Sequence, residues 1–152
     1  MDEVAKKIKV RMRLVIIKNN KILMSYVSDE DFYFFIGGKM EYGETIKRAC
    51  EREIEEECKA KFTFKKILYV RDFILLEENE HSLELFVLGD VDKFEEIDGI
   101  VDEEYKDTHR EMWLDLNKLD QYNIKPKGLV RRILNDYKNG FNGPIGYLGE
   151  IN

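Results

Sequence analysis

GKMEYGETIKRACEREIEEECKA, residues 38 to 60, is the stretch on which the fold of this chain turns. From Thr45 to Lys59 it contains neither glycine nor proline and consists mostly of good helix formers. Glu44 stands just ahead, where a negative charge suits the helix dipole, so the pattern predicts a helix over Thr45 to Lys59. Projected at roughly 100° per residue, Ile46, Ala49 and Cys50 fall within about 60° of Glu53, and so do Glu56 and Glu57. Lys47, Arg48, Glu51, Glu55 and Lys59 take the opposite face. Three carboxylates therefore share the stripe that the apolar residues mark as inward-facing.

Without a cation that arrangement is unfavourable in three ways. Glu53 and Glu57 are like charges at i,i+4. Glu55, Glu56 and Glu57 crowd the C-terminal half of the helix, the wrong end of its dipole for anions. Burying unpaired carboxylates is worse than either, because desolvation disfavours the charged form. A hard divalent cation reverses all three effects. Oxygen ligands at i, i+3 and i+4 converge on one point and suit Mg²⁺, or Mn²⁺ in its place, bound together with waters and substrate phosphates. Such an ion neutralises phosphate charge, orients a phosphate chain and activates water for attack on phosphorus. The simpler reading of Glu55-Glu56-Glu57 is a solvated acidic run held by the pairs Glu44 with Arg48, Lys47 with Glu51, and Arg52 with Glu56. The surrounding spacing argues against it.

Residues 38 to 60 resemble the Nudix box, G-x5-E-x7-R-E-U-x-E-E-x-G-U with U a bulky aliphatic. Gly38, Glu44, Arg52, Glu53, Ile54, Glu56 and Glu57 all fall in register. Lys59 replaces the box glycine, Ala60 the following aliphatic, and Ile36 the proline that often precedes the paired glycines. The helix exit must therefore be made without the residue most tolerant of positive φ. The resemblance implies an α/β fold, the Nudix α/β/α sandwich on a mixed β-sheet. It implies that Glu53, Glu56 and Glu57 bind Mg²⁺ with a backbone carbonyl from the Gly37-Gly38 turn, and Gly38 is assigned here as the ligand. Arg52 would hold a carboxylate in place, and Glu44, with Gly37, would support the loop-helix junction. The general base is left among the box glutamates and the later acidic residues Glu95, Glu96, Asp102, Glu103 and Glu104.

Around the box, Ile8 to Ile17 and Ile22 to Val27 read as strands joined by a Lys18-Asn19-Asn20-Lys21 turn. Phe32 to Ile36 reads as a third strand running into the Gly37-Gly38 turn. Phe62 to Leu76 and Ser82 to Leu88 read as a hairpin. An acidic loop over Asp90 to Arg110 and a short strand at Met112 to Leu114 follow. Pro126 suits the first turn of a helix running to about Tyr137, with Asn139-Gly140 as its stop. The 141–152 tail has anchors to pack either on its own domain or on a partner. Residues 1–152 read as one domain, in keeping with a length of 152 residues.

A net charge of -6 argues against binding a nucleic-acid polymer, whose backbone attracts basic patches. A small nucleotide is the expected partner, and a homodimer through the tail or the acidic face is open. No window reaches the roughly 18 apolar residues of a membrane span, and the N-terminal residues lack a signal-peptide pattern, so a cytoplasmic location without membrane association is expected. Cys50 and Cys58 lie about 12 Å apart along one helix, too far for a disulfide, and form no zinc motif.

Signatures that would name the substrate are missing. The proline that many ADP-ribose hydrolases carry about fifteen residues after the box is absent around Leu75 to Glu78, as are coenzyme A and NADH-type arrays. Phe32, Tyr33, Phe34, Tyr69, Phe73 and Phe86 are available to stack a base, most of them expected in the core. Arg11, Arg13 and Arg71 are candidate phosphate or ribose contacts but read mainly as a solvated strand face, and His81 and His109 read as surface residues. The expected activity is hydrolysis of a pyrophosphate bond in a nucleoside diphosphate linked to another moiety, of ADP-ribose or nucleotide-sugar type. A nucleoside triphosphate pyrophosphohydrolase and a catalytically silent nucleotide-binding module are the alternatives.

Overall fold

The computed structural model describes residues 6–102 and 108–152. It opens with a hairpin of β1 (Lys9–Lys18) and β2 (Lys21–Val27). Asn19 and Asn20 both take positive φ, 53° and 61°, as a two-residue type I′ turn demands. Next come β3 (Phe32–Phe34), β4 (Gly37–Lys39), α1 (Ile46–Cys58) and the long β5 (Phe62–Leu75). A 3₁₀ turn at Leu76–Glu78 leads to β6 (Glu80–Val91), followed by β7 (His109–Asp115) and β8 (Ile124–Lys125). The chain then forms α2 (Leu129–Lys138) and β9 (Gly146–Gly149).

Among the described residues the strands form a nine-stranded sheet in the order β8-β3-β2-β1-β6-β5-β9, with β4 on β1 and β7 on β2. It is mixed: β1 and β6, β3 and β8, and β5 and β9 run parallel, the other pairs antiparallel. β1 joins its two halves. Over Lys9 to Ile16 it pairs with β6, and at its end Ile17 and Lys18 pair with Ile22 and Lys21.

Strand alternation sends side chains to two cores. Met12, Leu14 and Ile16 of β1 face Ala49, Cys50, Ile54 and Cys58 of α1 in one cluster. Val15 joins Leu68, Tyr69 and Phe86 with Leu129 and Ile133 of α2 in the other. One helix covers each face, the expected sandwich. Cys50 and Cys58 are both free and buried.

Several local expectations are corrected. The paired glycines are not a turn: Gly37 and Gly38 lie in β4, opposite Arg13 and Met12 of β1. Only glycine fits this pairing at position 37, where an added Cβ would lie 1.8 Å from the Met12 carbonyl oxygen. β7 has seven residues, because β2 pairs with it over its whole length. Pro126 precedes α2 rather than opening it, since Lys125 is held extended in β8 against Phe34 and the residue before proline avoids the helical region. Of the two packings left open for the tail, it takes the one on its own chain, through β9.

Candidate active site

Helix α1 carries the acids. Its first turn is capped by Thr45, whose hydroxyl accepts from the Arg48 amide at 3.1 Å. Its exit is Lys59 in the left-handed region, φ 53°, with its amide on the Glu55 carbonyl. The helix exit is therefore made without the box glycine and places a lysine in a strained backbone.

Arg52 ties the helix to the loop before it. Its Nε and NH2 donate to both oxygens of Glu44 at 2.6 and 2.9 Å, NH2 donates to the Lys39 carbonyl at 3.0 Å, and NH1 donates to Glu53 at 3.0 Å and Glu56 at 3.3 Å. Glu44 in turn accepts from the Glu41 amide at 2.8 Å. The Arg52 hydrogen bond, then the backbone one, hold the Glu44 carboxyl down at about 2.

Arg52, Glu53, Glu56 and Glu57 line one cavity of about 790 Å³ together with Gly37, Gly38, Asp102 and His109. The expected inward stripe holds for two of its three acids. Glu53 is buried, 7% exposed, and Glu57 is half-buried, but the Glu56 side chain is 60% exposed and reaches back to Arg52. Gly38 packs against Glu53 so closely that a Cβ there would sit 2.5 Å from Oε1.

Behind Glu57 lies a residue that helix periodicity could not supply. Glu111 of β7 is fully buried, and its Oε1 accepts from the Ser25 hydroxyl at 3.0 Å. Glu57 Oε2 and Glu111 Oε2 are buried without a hydrogen-bond partner. Burial, then the neighbouring charge of Glu111, pushes Glu57 up to about 10. Burial pushes Glu111 to about 8 against the pull of Ser25, and also raises Glu53, with Arg52 opposing. Glu111 had a sequence signal: it shares a strand face with the buried Trp113, an inward position where a charge is anomalous.

Among the described residues no three acidic, histidine or cysteine side chains are gathered at liganding distance. The orphaned oxygens of Glu57 and Glu111, beside Glu53 and the glycine backbone, nevertheless have the chemistry a hard cation needs. Mg²⁺ keeps several waters, so the protein need not supply every ligand.

Of the later acidic candidates among the described residues, only Asp102 lines the cavity. Glu95 and Glu96 are exposed elsewhere, and Glu103 and Glu104 lie outside the described residues. His109 is not a plain surface residue, since it is half-buried and edge-on to Phe34, with ring centroids 5.7 Å apart.

The arginines correct the expectation of a solvated strand face. Glu84 of β6, 3% exposed, accepts from Arg13 Nε at 2.9 Å and Arg71 NH1 at 2.5 Å, and Arg71 is itself 7% exposed. Ser82, Glu84 and Phe86 share this face of β6 at period two, the pattern by which Glu84 could have been found. Arg11 donates to Glu80 and Ser82, and Lys9 to Glu80.

Arg13 and Phe34 also line a second cavity of about 740 Å³, with Phe32, Phe73 and Phe86 among its walls. Four of the six aromatic candidates thus meet in one place, because β3, β5 and β6 bring them there. Tyr69 instead donates to Asp136 at 2.6 Å in the core under α2, and Tyr33 packs tilted against Tyr26 and edge-on to Tyr122. His81 lines neither cavity.

The NUDIX domain family matches residues 9–133. The chain belongs to this family and is a Nudix hydrolase. No curated protein matches it in sequence. Its fold is that of a MutT Nudix hydrolase from Burkholderia pseudomallei, 24% identical over 83% of this chain and 97% of the other, with a TM-score of 0.67. A UDP-X diphosphatase is similar at 20% identity, 95% and 69% coverage and a TM-score of 0.68. An ADP-ribose pyrophosphatase from Streptococcus suis is similar at 15% identity, 91% and 98% coverage and a TM-score of 0.65. No helix among the described residues is long and apolar enough to cross a membrane.

Proposed function

We propose that the chain hydrolyses the pyrophosphate bond of a nucleoside diphosphate linked to a second moiety. What carries the reading is the junction of the two cavities: an acid-walled one and an aromatic one share Arg13 and Phe34. A base in the aromatic cavity would leave its phosphates at the acid wall, with Arg13 at the bridge. Two structural neighbours, an ADP-ribose pyrophosphatase and a UDP-X diphosphatase, are named for substrates of this kind.

Glu53, Glu56 and Glu57, with the Gly38 carbonyl, are the groups that would hold Mg²⁺ or Mn²⁺, with Glu111 behind Glu57. Bound there, the ion supplies positive charge that offsets the carboxylates and the phosphates. Arg52 keeps Glu53 and Glu56 oriented and the loop closed on the helix. Asp102 is assigned as the acceptor of the attacking water's proton. The new P–O bond then forms as the bridging P–O bond breaks, and the second phosphate departs with the electron pair.

A panel of dinucleotides, nucleotide sugars and nucleoside triphosphates with Mg²⁺ tests the reading, Glu53→Gln serving as control. A nucleoside monophosphate plus a phosphorylated second moiety is the expected product, and Glu53→Gln should remove at least about 10²-fold of kcat. Release of inorganic pyrophosphate from triphosphates alone would assign the nucleoside triphosphate activity instead. An unchanged Glu53→Gln rate would remove that residue from the mechanism.

A further inference from the structure

The C-terminal segment reaches the aromatic cavity and is held there by polar contacts. β9 lies parallel to β5, with Tyr147 opposite Val70, and Leu148 packs against the α2 core. Gly149, at φ 60°, then turns the chain. Beyond it the Ile151 carbonyl accepts from Arg71 Nε at 2.7 Å, and the Asn152 carbonyl accepts from the Gly128 amide at 2.7 Å. Asn152 thereby becomes part of the cavity wall, facing the same space as Phe32 and Phe73.

Arg71 connects this wall to the rest of the site. Its guanidinium carbon lies 5.0 Å from the centre of the Phe73 ring, and its NH1 donates to Glu84, whose other oxygen accepts from Arg13. One relay of charges, buried Arg71 to buried Glu84 to half-buried Arg13, thus runs from the tail to the guanidinium shared by the two cavities. A buried ion network of this kind fixes geometry more than it adds stability.

We propose that residues 150–152, clamped by Arg71 and the Gly128 amide, are the wall that fits the aromatic cavity to the nucleoside half of the substrate. The inference rests on the nucleoside reading of that cavity. Ligand cavities bury most of their ligand's surface, so removing one wall weakens binding without touching the reacting atoms. The tail is a specificity element and takes no part in bond breaking.

Gly128 provides the test. It has φ −64° and ψ −16°, which any residue adopts, yet an added Cβ would lie 2.8 Å from both the Asn152 carbonyl oxygen and Ile151 Cγ1. Gly128→Val therefore displaces the tail while leaving the cavity's aromatic residues in place. Gly149→Val, which strains the turn at φ 60°, is a second route to the same displacement should the first variant fail to fold. Binding of adenosine or uridine monophosphate, whichever the unaltered chain prefers, is measured by calorimetry for these variants and for Phe73→Ala. Either glycine variant should weaken binding about tenfold, with kcat at saturating substrate unchanged. If Phe73→Ala weakens binding while a folded glycine variant does not, the tail has no part in recognition and the proposal falls alone. If no nucleotide binds, or Phe73→Ala changes nothing, the nucleoside reading falls and takes the proposal with it.

Discussion

Glu57 of α1 and Glu111 of β7 are brought together inside the fold from distant parts of the chain. Each has an oxygen with no donor to satisfy it, in a region where burial has lifted both acids into the range of weak bases. Asp102 differs, since it reaches the cavity from the loop after β6 rather than from the sheet or helix behind it. Its assignment as proton acceptor makes a kinetic prediction at this scale. Asp102→Asn should lower kcat by about 10²–10⁴-fold with little change in KM. A variant with the original kcat would move the base to Glu57.

At the scale of elements, α1 is the piece whose ends decide where the acids lie. Its N-terminus is fixed by the Thr45 cap and by the Arg52 to Glu44 pair, its C-terminus by a lysine in a glycine's conformation. Thr45→Ala should cost about 1 kcal/mol of stability in urea titration, from loss of the cap. Lys59→Gly should move stability the other way, by about 0.5–1 kcal/mol, because a left-handed backbone strains a side-chain-bearing residue more than glycine's freedom costs in the unfolded chain. A destabilised Lys59→Gly protein would mean that the Lys59 side chain, which donates to the Glu56 carbonyl at 3.2 Å, matters more than the strain.

Across the whole molecule the shifted acids set how stability depends on pH. Glu44 and Glu80, both held at about 2, help the fold above the normal carboxylate range and stop doing so as pH falls towards 2. Glu80 owes its value to Ser82 and Lys9, which overcome the burial opposing them. Glu57 and Glu111 have the opposite sign. Unfolded, each releases its proton near pH ~4.3; folded, they keep them to about 10 and about 8. Above pH ~4.3 the folded state binds more protons, so its stability declines until those folded values are passed. In chelator the thermal midpoint should therefore fall between pH 5 and pH 8, roughly the window these shifts define. Mg²⁺, by taking up the deprotonated acids, should restore it most strongly at the upper end. Equal midpoints with Mg²⁺ and with chelator at pH 8 would argue that these carboxylates do not meet a cation.

What the sequence determined by itself was whatever repeats at short range. The 3.6-residue period set Glu53 and Glu57 on the inner side of α1, the glycine and charge spacing from Gly38 to Glu57 identified the family, and Asn19-Asn20 identified the first hairpin. Even there Glu56 was misplaced, because a flexible side chain at the edge of the stripe found Arg52 instead of the interior. Tertiary structure alone decided the rest. Glu111 sits 54 residues from Glu57, Glu84 lies 13 residues from Arg71 on another strand, and the tail meets Arg71 across 80 residues. Local periodicity fixes which way a side chain leaves its own element. Which partner it meets there depends on sheet order, and that order is the joint outcome of two cores being buried at once.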